Sequence, residues 1–228
     1  MTHSGSTAPA TILFDVDGTL IDTRRLYLEA YRRALAEYIG FAPTDAEILS
    51  RPPSAERRFV TDWVGEKDAA ACHASMCEHY RELHAAYYDG LYDGVREMLA
   101  GLRSAAIPLG VVTGKGREAW EITSGLSALG DFAVVITEDE MVAPKPDPGG
   151  LLDAAAQLGR LPAETVYIGD SVEDVEAARR AGMLAGAVLW PKVDSDDRAS
   201  FLSAIDVHRP DWLFEHPADL VRAFARWC

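Results

Sequence analysis

The run Thr11-Ile12-Leu13-Phe14-Asp15-Val16-Asp17-Gly18-Thr19 places a strand-like apolar segment directly before two carboxylates and a glycine. The same order returns twice further on. Leu109-Gly110-Val111-Val112 leads into Thr113-Gly114, and Val166-Tyr167-Ile168 leads into Gly169-Asp170-Ser171, with Asp174 just beyond. In an open parallel α/β sheet, ligands bind in the crevice outside the carboxyl ends of the strands. Residues far apart in the chain are therefore expected to meet at one edge. Two carboxylates about 4 Å apart repel by roughly 4 kcal/mol at an effective dielectric of about 20. A hard divalent cation removes that cost, and magnesium binds through one or two carboxylates together with a substrate phosphate. The pattern predicts a magnesium-dependent phosphate site.

Working outward, strand-like and helix-like stretches alternate from Gly94 to the C-terminus. Strands are expected at 108–112, 133–137, 165–168, 184–189 and 211–214. Helices are expected at 95–105, 117–128, from about 148, at 172–181, 197–205 and 217–226. This alternation predicts an α/β fold, a parallel sheet covered by helices. The first strand, 11–15, is cut off from that series by about 70 residues that read as helices. In 23–39, Leu26, Ala30, Leu35 and Ile39 fall near one face; in 69–88, Cys72, Met76, Tyr80, Leu83 and Tyr87 do the same. The expected division is a core of residues 1–22 plus 92–228 and a smaller all-helical domain, 23–91. Its linkers fall near 18–23 and 89–94, where Asp89-Gly90 and Asp93-Gly94 signal turns.

The chain has 228 residues, 48% hydrophobic and 25% charged, with a formal net charge of −14. That acidity argues against nucleic acid or an anionic membrane as partner. Residues 1–10 are small and polar, and neither a membrane span nor a signal peptide is visible, so a cytoplasmic location is expected. Three sparse cysteines, Cys72, Cys77 and Cys228, fit free thiols.

Asp15 and Asp17 lie two apart and so share one side of an extended chain, with Gly18 permitting a sharp turn after them. Such a pair can divide nucleophilic from proton-transfer work. Thr113-Gly114 fits either a phosphate contact or a helix N-cap. Lys145, fixed by the following Pro146, suits charge neutralisation of a phosphate in a chain whose other lysines are Lys67, Lys115 and Lys192. Asp170 suits a metal, while Ser171 and Asp174 have the spacing of a capping box, which competes with a supporting role at the metal. Arg24, Arg25, Arg51, Arg57 and Arg58 supply forks for a substrate anion, and Arg51 and Arg57 are the candidate substrate contacts. Asp22-Thr23 reads as a helix cap. Cys72, His73, Cys77 and His79 read as buried thiols and surface histidines rather than a metal site.

Taken together, Asp15-Val16-Asp17-Gly18-Thr19-Leu20-Ile21-Asp22-Thr23, Val112-Thr113-Gly114-Lys115, Lys145-Pro146-Asp147-Pro148 and Ile168-Gly169-Asp170-Ser171-Val172-Glu173-Asp174 resemble the motifs of the haloacid dehalogenase superfamily of phosphohydrolases, in its phosphoglycolate-phosphatase-like branch. They stand in the family's order across nearly the whole chain. The resemblance implies a Rossmann-like core with a helical cap inserted after the first strand. It implies a phosphatase acting on a small phosphorylated metabolite. The oligomeric expectation is a monomer or homodimer, left open between the two. Asp15 would attack phosphorus and become phospho-aspartate; Asp17 would protonate the leaving oxygen and then deprotonate water. Thr113, Gly114 and Lys145 would hold the phosphoryl group. Mg2+ would sit on Asp15, the Asp17 carbonyl and Asp170, with Asp174 supporting. Tyr92-Asp93-Gly94-Val95, Glu138-Asp139-Glu140-Met141 and Gly149-Gly150 depart from the pattern and bear on the substrate. A phosphomutase of the same family and a catalytically silent binding protein are the competing expectations.

Overall fold

The computed structural model describes residues 11–51, 55–127 and 129–224. Cys228 and the ends of two expected helices, at 128 and 225–226, lie outside them.

Six strands form one parallel sheet: β1 (Thr11–Phe14), β4 (Leu109–Val112), β5 (Val134–Ile136), β6 (Thr165–Gly169), β7 (Leu184–Val188) and β8 (Trp212–Phe214). Their order is β5-β4-β1-β6-β7-β8, and every neighbouring pair is parallel. The chain winds outward from β1 to β5, then crosses back to β6 and winds the other way. β1 is thus the central strand at the topological switch point, where a crevice opens at the carboxyl edge.

Alternation along β1 explains the two layers of the core. Ile12 and Phe14 pack on one face, with Val111, Ile168 and the helices α5 (Val95–Ser104) and α10 (Pro217–Phe224). Leu13 packs on the other, with Val112, Tyr167 and the helices α7 (Gly149–Gln157), α8 (Val172–Arg180) and α9 (Ser195–Asp206). Both faces being covered, the strands read as continuous apolar runs rather than alternating ones. Full burial of each large side chain contributes about 1.5–3 kcal/mol.

Between β1 and β4 the chain forms α1 (Arg24–Ile39), α2 (Asp45–Leu49), α3 (Glu56–Val64) and α4 (Glu66–Tyr87). These helices enclose an apolar cluster of their own, including Leu26, Tyr31, Leu35, Phe59, Met76 and Tyr80. Ala119 of α6 (Arg117–Leu126), which follows β4, closes it against the core. The two expected linkers do more than turn. β2 (Ile21–Asp22) and β3 (Gly90–Leu91) pair antiparallel, Ile21 opposite Leu91 and Asp22 opposite Gly90. A two-strand neck therefore joins the helical insertion to the sheet. Strands this short carry no periodicity, so the sequence shows only their turn residues.

Candidate active site

The sheet register delivers the site. Phe14 lies opposite Val111 and Ile168, so Asp15, Thr113 and Asp170 all emerge just past the same edge. The Asp15 amide donates to the Ile168 carbonyl at 2.8 Å, and the Thr113 amide donates to the Ile136 carbonyl at 3.0 Å. Gly18 turns the chain back with φ +78°, and its amide donates to the Ile21 carbonyl at 3.0 Å. A Cβ there would lie 2.6 Å from the Asp170 carboxylate oxygens, so the glycine is what lets Asp170 close on the turn.

Lys145 is buried and its Nζ lies 3.1 Å from Asp15 Oδ1 and 2.5 Å from Asp174 Oδ1. It also donates to the Tyr167 hydroxyl at 3.0 Å, and that hydroxyl donates to the Val112 carbonyl at 2.7 Å. Burial pushes the Asp15 carboxyl up to about 7; Lys145 opposes this and Asp174, Asp170 and Asp17 reinforce it. Burial also works against the Asp174 anion, yet Lys145 and Ser171 together hold that carboxyl below the usual range. Asp174 and Ser171 form the full capping box of α8. With Oδ2 on the Ser171 amide and hydroxyl and Oδ1 on Lys145, both Asp174 oxygens are occupied within the protein.

Asp15, Asp170 and Asp174 bring carboxylate oxygens within 4.8 Å of one another. This all-oxygen set suits a hard divalent cation. Asp15 and Asp170 are the better ligands, because Asp174 is committed to Lys145 and the helix cap. Thr19 donates to Asp170 Oδ1 at 3.4 Å, and Lys192 Nζ lies 3.0 Å from Asp170 Oδ2. Burial raises the Asp170 carboxyl while Lys192 draws it back.

Asp17 faces a different cation. Lys115 Nζ is 3.1 Å from Asp17 Oδ1 and is fully buried. It donates to Tyr27 at 2.6 Å and to Tyr80 at 3.1 Å, and lies 4.2 and 4.7 Å from the centroids of those rings. Thr23 Oγ1 also donates to Asp17 Oδ1. Lys115 and Thr23 are not among the site residues expected from the sequence. The only available signals were Lys115 inside Val112-Thr113-Gly114-Lys115 and Thr23 closing the first motif. Thr23 does precede α1 but makes no side-chain cap bond, because its hydroxyl is turned to Asp17.

Thr113 is buried, with Oγ1 accepting from the Lys115 amide at 3.2 Å. It does not cap α6, whose N-cap is Gly116. The Gly114 carbonyl accepts from the Glu56 amide at 3.3 Å, bringing α3 onto the loop after β4.

Arg51 and Arg57 are engaged elsewhere. Arg51 lies 4.1 Å over the Trp63 ring and donates to the Asp62 carbonyl. Arg57 pairs with Asp139 at 2.6 Å, and its amide donates to Glu138. Among the described residues neither is in hydrogen-bond contact with Asp15, Asp17, Lys145 or Asp170.

The histidine expectation needs correction. His73 is buried rather than on the surface, with Nε2 3.3 Å from Glu56 Oε2. His79 is partly buried and paired with Glu37 at 2.9 Å. His73, Glu56 and Cys77 bring ligand-capable atoms within 4.8 Å. Burial pushes the Cys77 thiol up to about 12, keeping it protonated, and Glu56 is taken by Tyr27 and His73, so the trio serves as a buried polar seam.

Asp15, Asp17, Thr113, Lys145 and Asp170 thus gather at one edge of a Rossmann-like parallel sheet. The chain belongs to the haloacid dehalogenase-like hydrolases, whose sequence model matches residues 12–188. It is 34% identical over 225 residues to a phosphoglycolate phosphatase of Xylella fastidiosa, covering 96% of this chain and 94% of that one. It is 32% identical over 221 residues to the pyrophosphatase PpaX of Bacillus velezensis, covering 92% and 94%. Among solved structures, a candidate phosphoglycolate phosphatase of Lactobacillus plantarum superposes with a TM-score of 0.79 at 25% identity, covering 96% of this chain and 100% of that one. A candidate β-phosphoglucomutase of Thermotoga maritima gives 0.71 at 27%, covering 96% and 99%. The chain is a phosphatase-type hydrolase with a parallel α/β fold. No described helix is long and apolar enough to cross a membrane.

Proposed function

We propose that the protein is a magnesium-dependent phosphatase that hydrolyses a small phosphate monoester through a phospho-aspartate on Asp15. The observation that carries this reading is the placement of Asp15. It is held between the Lys145 ammonium at 3.1 Å and the carboxylates of Asp170 and Asp174.

Each residue then has a separate task. Lys145 draws the phosphoryl oxygens toward Asp15 and offsets charge, while Asp174 and Tyr167 keep that lysine in place. Thr113 and the Gly114 amide receive the remaining phosphoryl oxygens. Asp17 gives its proton to the leaving oxygen and takes one from the water that later attacks the acyl phosphate. Asp15, the Asp17 carbonyl and Asp170 would hold Mg2+. Bound there, the ion supplies neutralisation of the transferring group's charge. The whole site works by positioning and by fixed charge.

We assign residues 23–91 to a substrate-selecting cap and residues 1–22 plus 92–228 to the core. The separate apolar cluster of α1–α4 and the β2–β3 neck support that division. Two of the relatives are by name a pyrophosphatase and a phosphoglycolate phosphatase, which supports a small phosphorylated substrate here. A net charge of −14 favours a small metabolite over nucleic acid.

The experiment is a panel of phosphate esters assayed for phosphate release with and without Mg2+. Magnesium-dependent release from small monoesters supports the reading. Isomer formation without phosphate release would replace it with a phosphomutase.

A further inference from the structure

Neither α3 nor α6 has a capping side chain of its own. α3 begins after Ala55 and α6 after Gly116, and neither residue has a side-chain oxygen to offer. One short turn of the core, Glu138–Glu140, serves both. Asp139 Oδ2 accepts from the Arg117 amide of α6 at 2.6 Å. The Glu138 carboxylate accepts from the Arg57 amide of α3 at 3.0 and 3.2 Å, and Asp139 Oδ1 pairs with the Arg57 guanidinium. The preceding α3 amide, that of Glu56, goes to the Gly114 carbonyl. Successive amides of the first turn of α3 are thus received by the core. The turn that receives them is firmly held. The Glu138 amide donates to the Lys115 carbonyl at 3.0 Å, and Glu140 completes a capping box with Thr137 and pairs with Arg117 at 2.7 Å.

An anion is favoured at a helix N-terminus. Burial raises the Glu138 carboxyl and Glu56 reinforces this, while the Arg57 and Arg58 amides and His73 draw it back. Where the capping oxygen resides decides what it stabilises. An oxygen at position 55 would serve α3 equally well on the core or away from it, and would not shift that equilibrium. Glu138 can serve α3 only while the helix rests on the loop after β4, so its whole contribution favours the docked arrangement. The contact can also part reversibly. Glu138 is half-buried, Arg57 and Asp139 are exposed, and a cavity of about 400 Å3 lined in part by all three gives water access to the freed groups.

We propose that Glu138 is a positioning residue that holds the helical domain of residues 23–91 down on the Thr113-Gly114 loop by capping α3 from the core. This rests on the phosphatase reading and on the assignment of that domain as the cover of the site. Without Glu138 the docked fraction falls and apparent substrate affinity falls by the same factor, while the chemistry of the docked form is unchanged.

The test uses the full chain with Mg2+ and p-nitrophenyl phosphate. Glu138→Ala is expected to raise KM about tenfold while kcat stays within about twofold. Glu138→Gln keeps one acceptor oxygen and is expected to recover part of the loss. An unchanged KM overturns the proposal, and so does a fall in kcat alone, the mark of a smaller folded fraction. Adding Ala55→Ser to Glu138→Ala gives α3 a capping hydroxyl of its own. KM is expected to stay raised; its return to the wild-type value would show that Glu138 merely stabilises a helix, and would overturn the proposal. Amide exchange followed by NMR without substrate gives a readout independent of the reaction. The Glu56 amide, whose acceptor Gly114 is untouched by the substitution, is expected to exchange about tenfold faster in Glu138→Ala, with β1 and β6 unchanged. Unchanged exchange at Glu56, or faster exchange throughout the sheet, overturns the proposal. Undiminished phosphate release by Asp15→Asn removes the phosphatase reading and leaves the exchange result to decide the contact.

Discussion

Lys192 Nζ sits 3.0 Å from Asp170 Oδ2, so a lysine already supplies positive charge to the carboxylate best placed to bind a metal. A divalent ion at Asp170 must accept that ammonium as a neighbour. Unit charges about 4 Å apart interact by roughly 4 kcal/mol at an effective dielectric of about 20, and the partial exposure of Lys192 reduces this. Lys192→Gln is therefore expected to bind Mg2+ about tenfold more tightly, or about 1.4 kcal/mol. Calorimetry measures this directly. The Trp190 indole, which donates to the Thr19 carbonyl at 3.0 Å, offers a fluorescence signal beside the site. Weaker binding by the variant would mean that Lys192 orients Asp170 rather than competing for it.

The Asp15 carboxyl gives a pH dependence with a definite sign. Its pKa is raised from 3.8 to about 7, chiefly by burial, so the folded, metal-free protein favours the protonated form below about pH 7. The resulting stabilisation is complete below about pH 4 and is lost as pH rises through about 7. Metal-free protein should lose thermal stability across that window, and Asp15→Asn should lose less. A divalent ion displaces the proton, so apparent Mg2+ affinity should rise with pH and level off above about 7. Affinity independent of pH across that window would contradict the placement of Asp15 at the metal.

Asp174 links fold and function, since its carboxylate completes the α8 cap and holds Lys145. Removing one partner of a buried ion pair costs about 3–5 kcal/mol. Asp174→Ala is expected to lose stability on that scale in a urea titration. Asp174→Asn keeps one acceptor oxygen for the cap but not the charge, and should stay folded while turnover falls about tenfold to a hundredfold. Wild-type turnover by Asp174→Asn would show that Lys145 needs no second carboxylate.

The sheet was readable because its strands, buried on both faces, appear as short apolar runs, and because Asp15, Thr113 and Asp170 each follow one. The cap interior was readable only in part. α1 and α4 showed their faces, whereas α2 and α3 are too short to show a period. Lys115 is not legible as a site residue because its setting depends on Tyr27 and Tyr80, which lie far away in the chain and meet it only after folding. For Arg51 the sequence shows no sign that its guanidinium lies over the nearby Trp63 ring. His73 gave no sign of burial, since its partner Glu56 comes from another helix.

Asp17 as general acid predicts a dependence on the leaving group. Asp17→Asn should lose far more rate with an alkyl phosphate than with p-nitrophenyl phosphate, whose leaving group departs without a proton. Equal losses on the two esters would remove the acid role and leave Asp17 with positioning alone.

The central claim is that Asp15 carries the phosphoryl group. Acid quenching during turnover with Mg2+, followed by mass spectrometry of the peptides, tests it most directly. The account predicts a phosphoryl adduct on the peptide containing Asp15, absent in Asp15→Asn. An adduct on a different residue, or full turnover by Asp15→Asn, would contradict it.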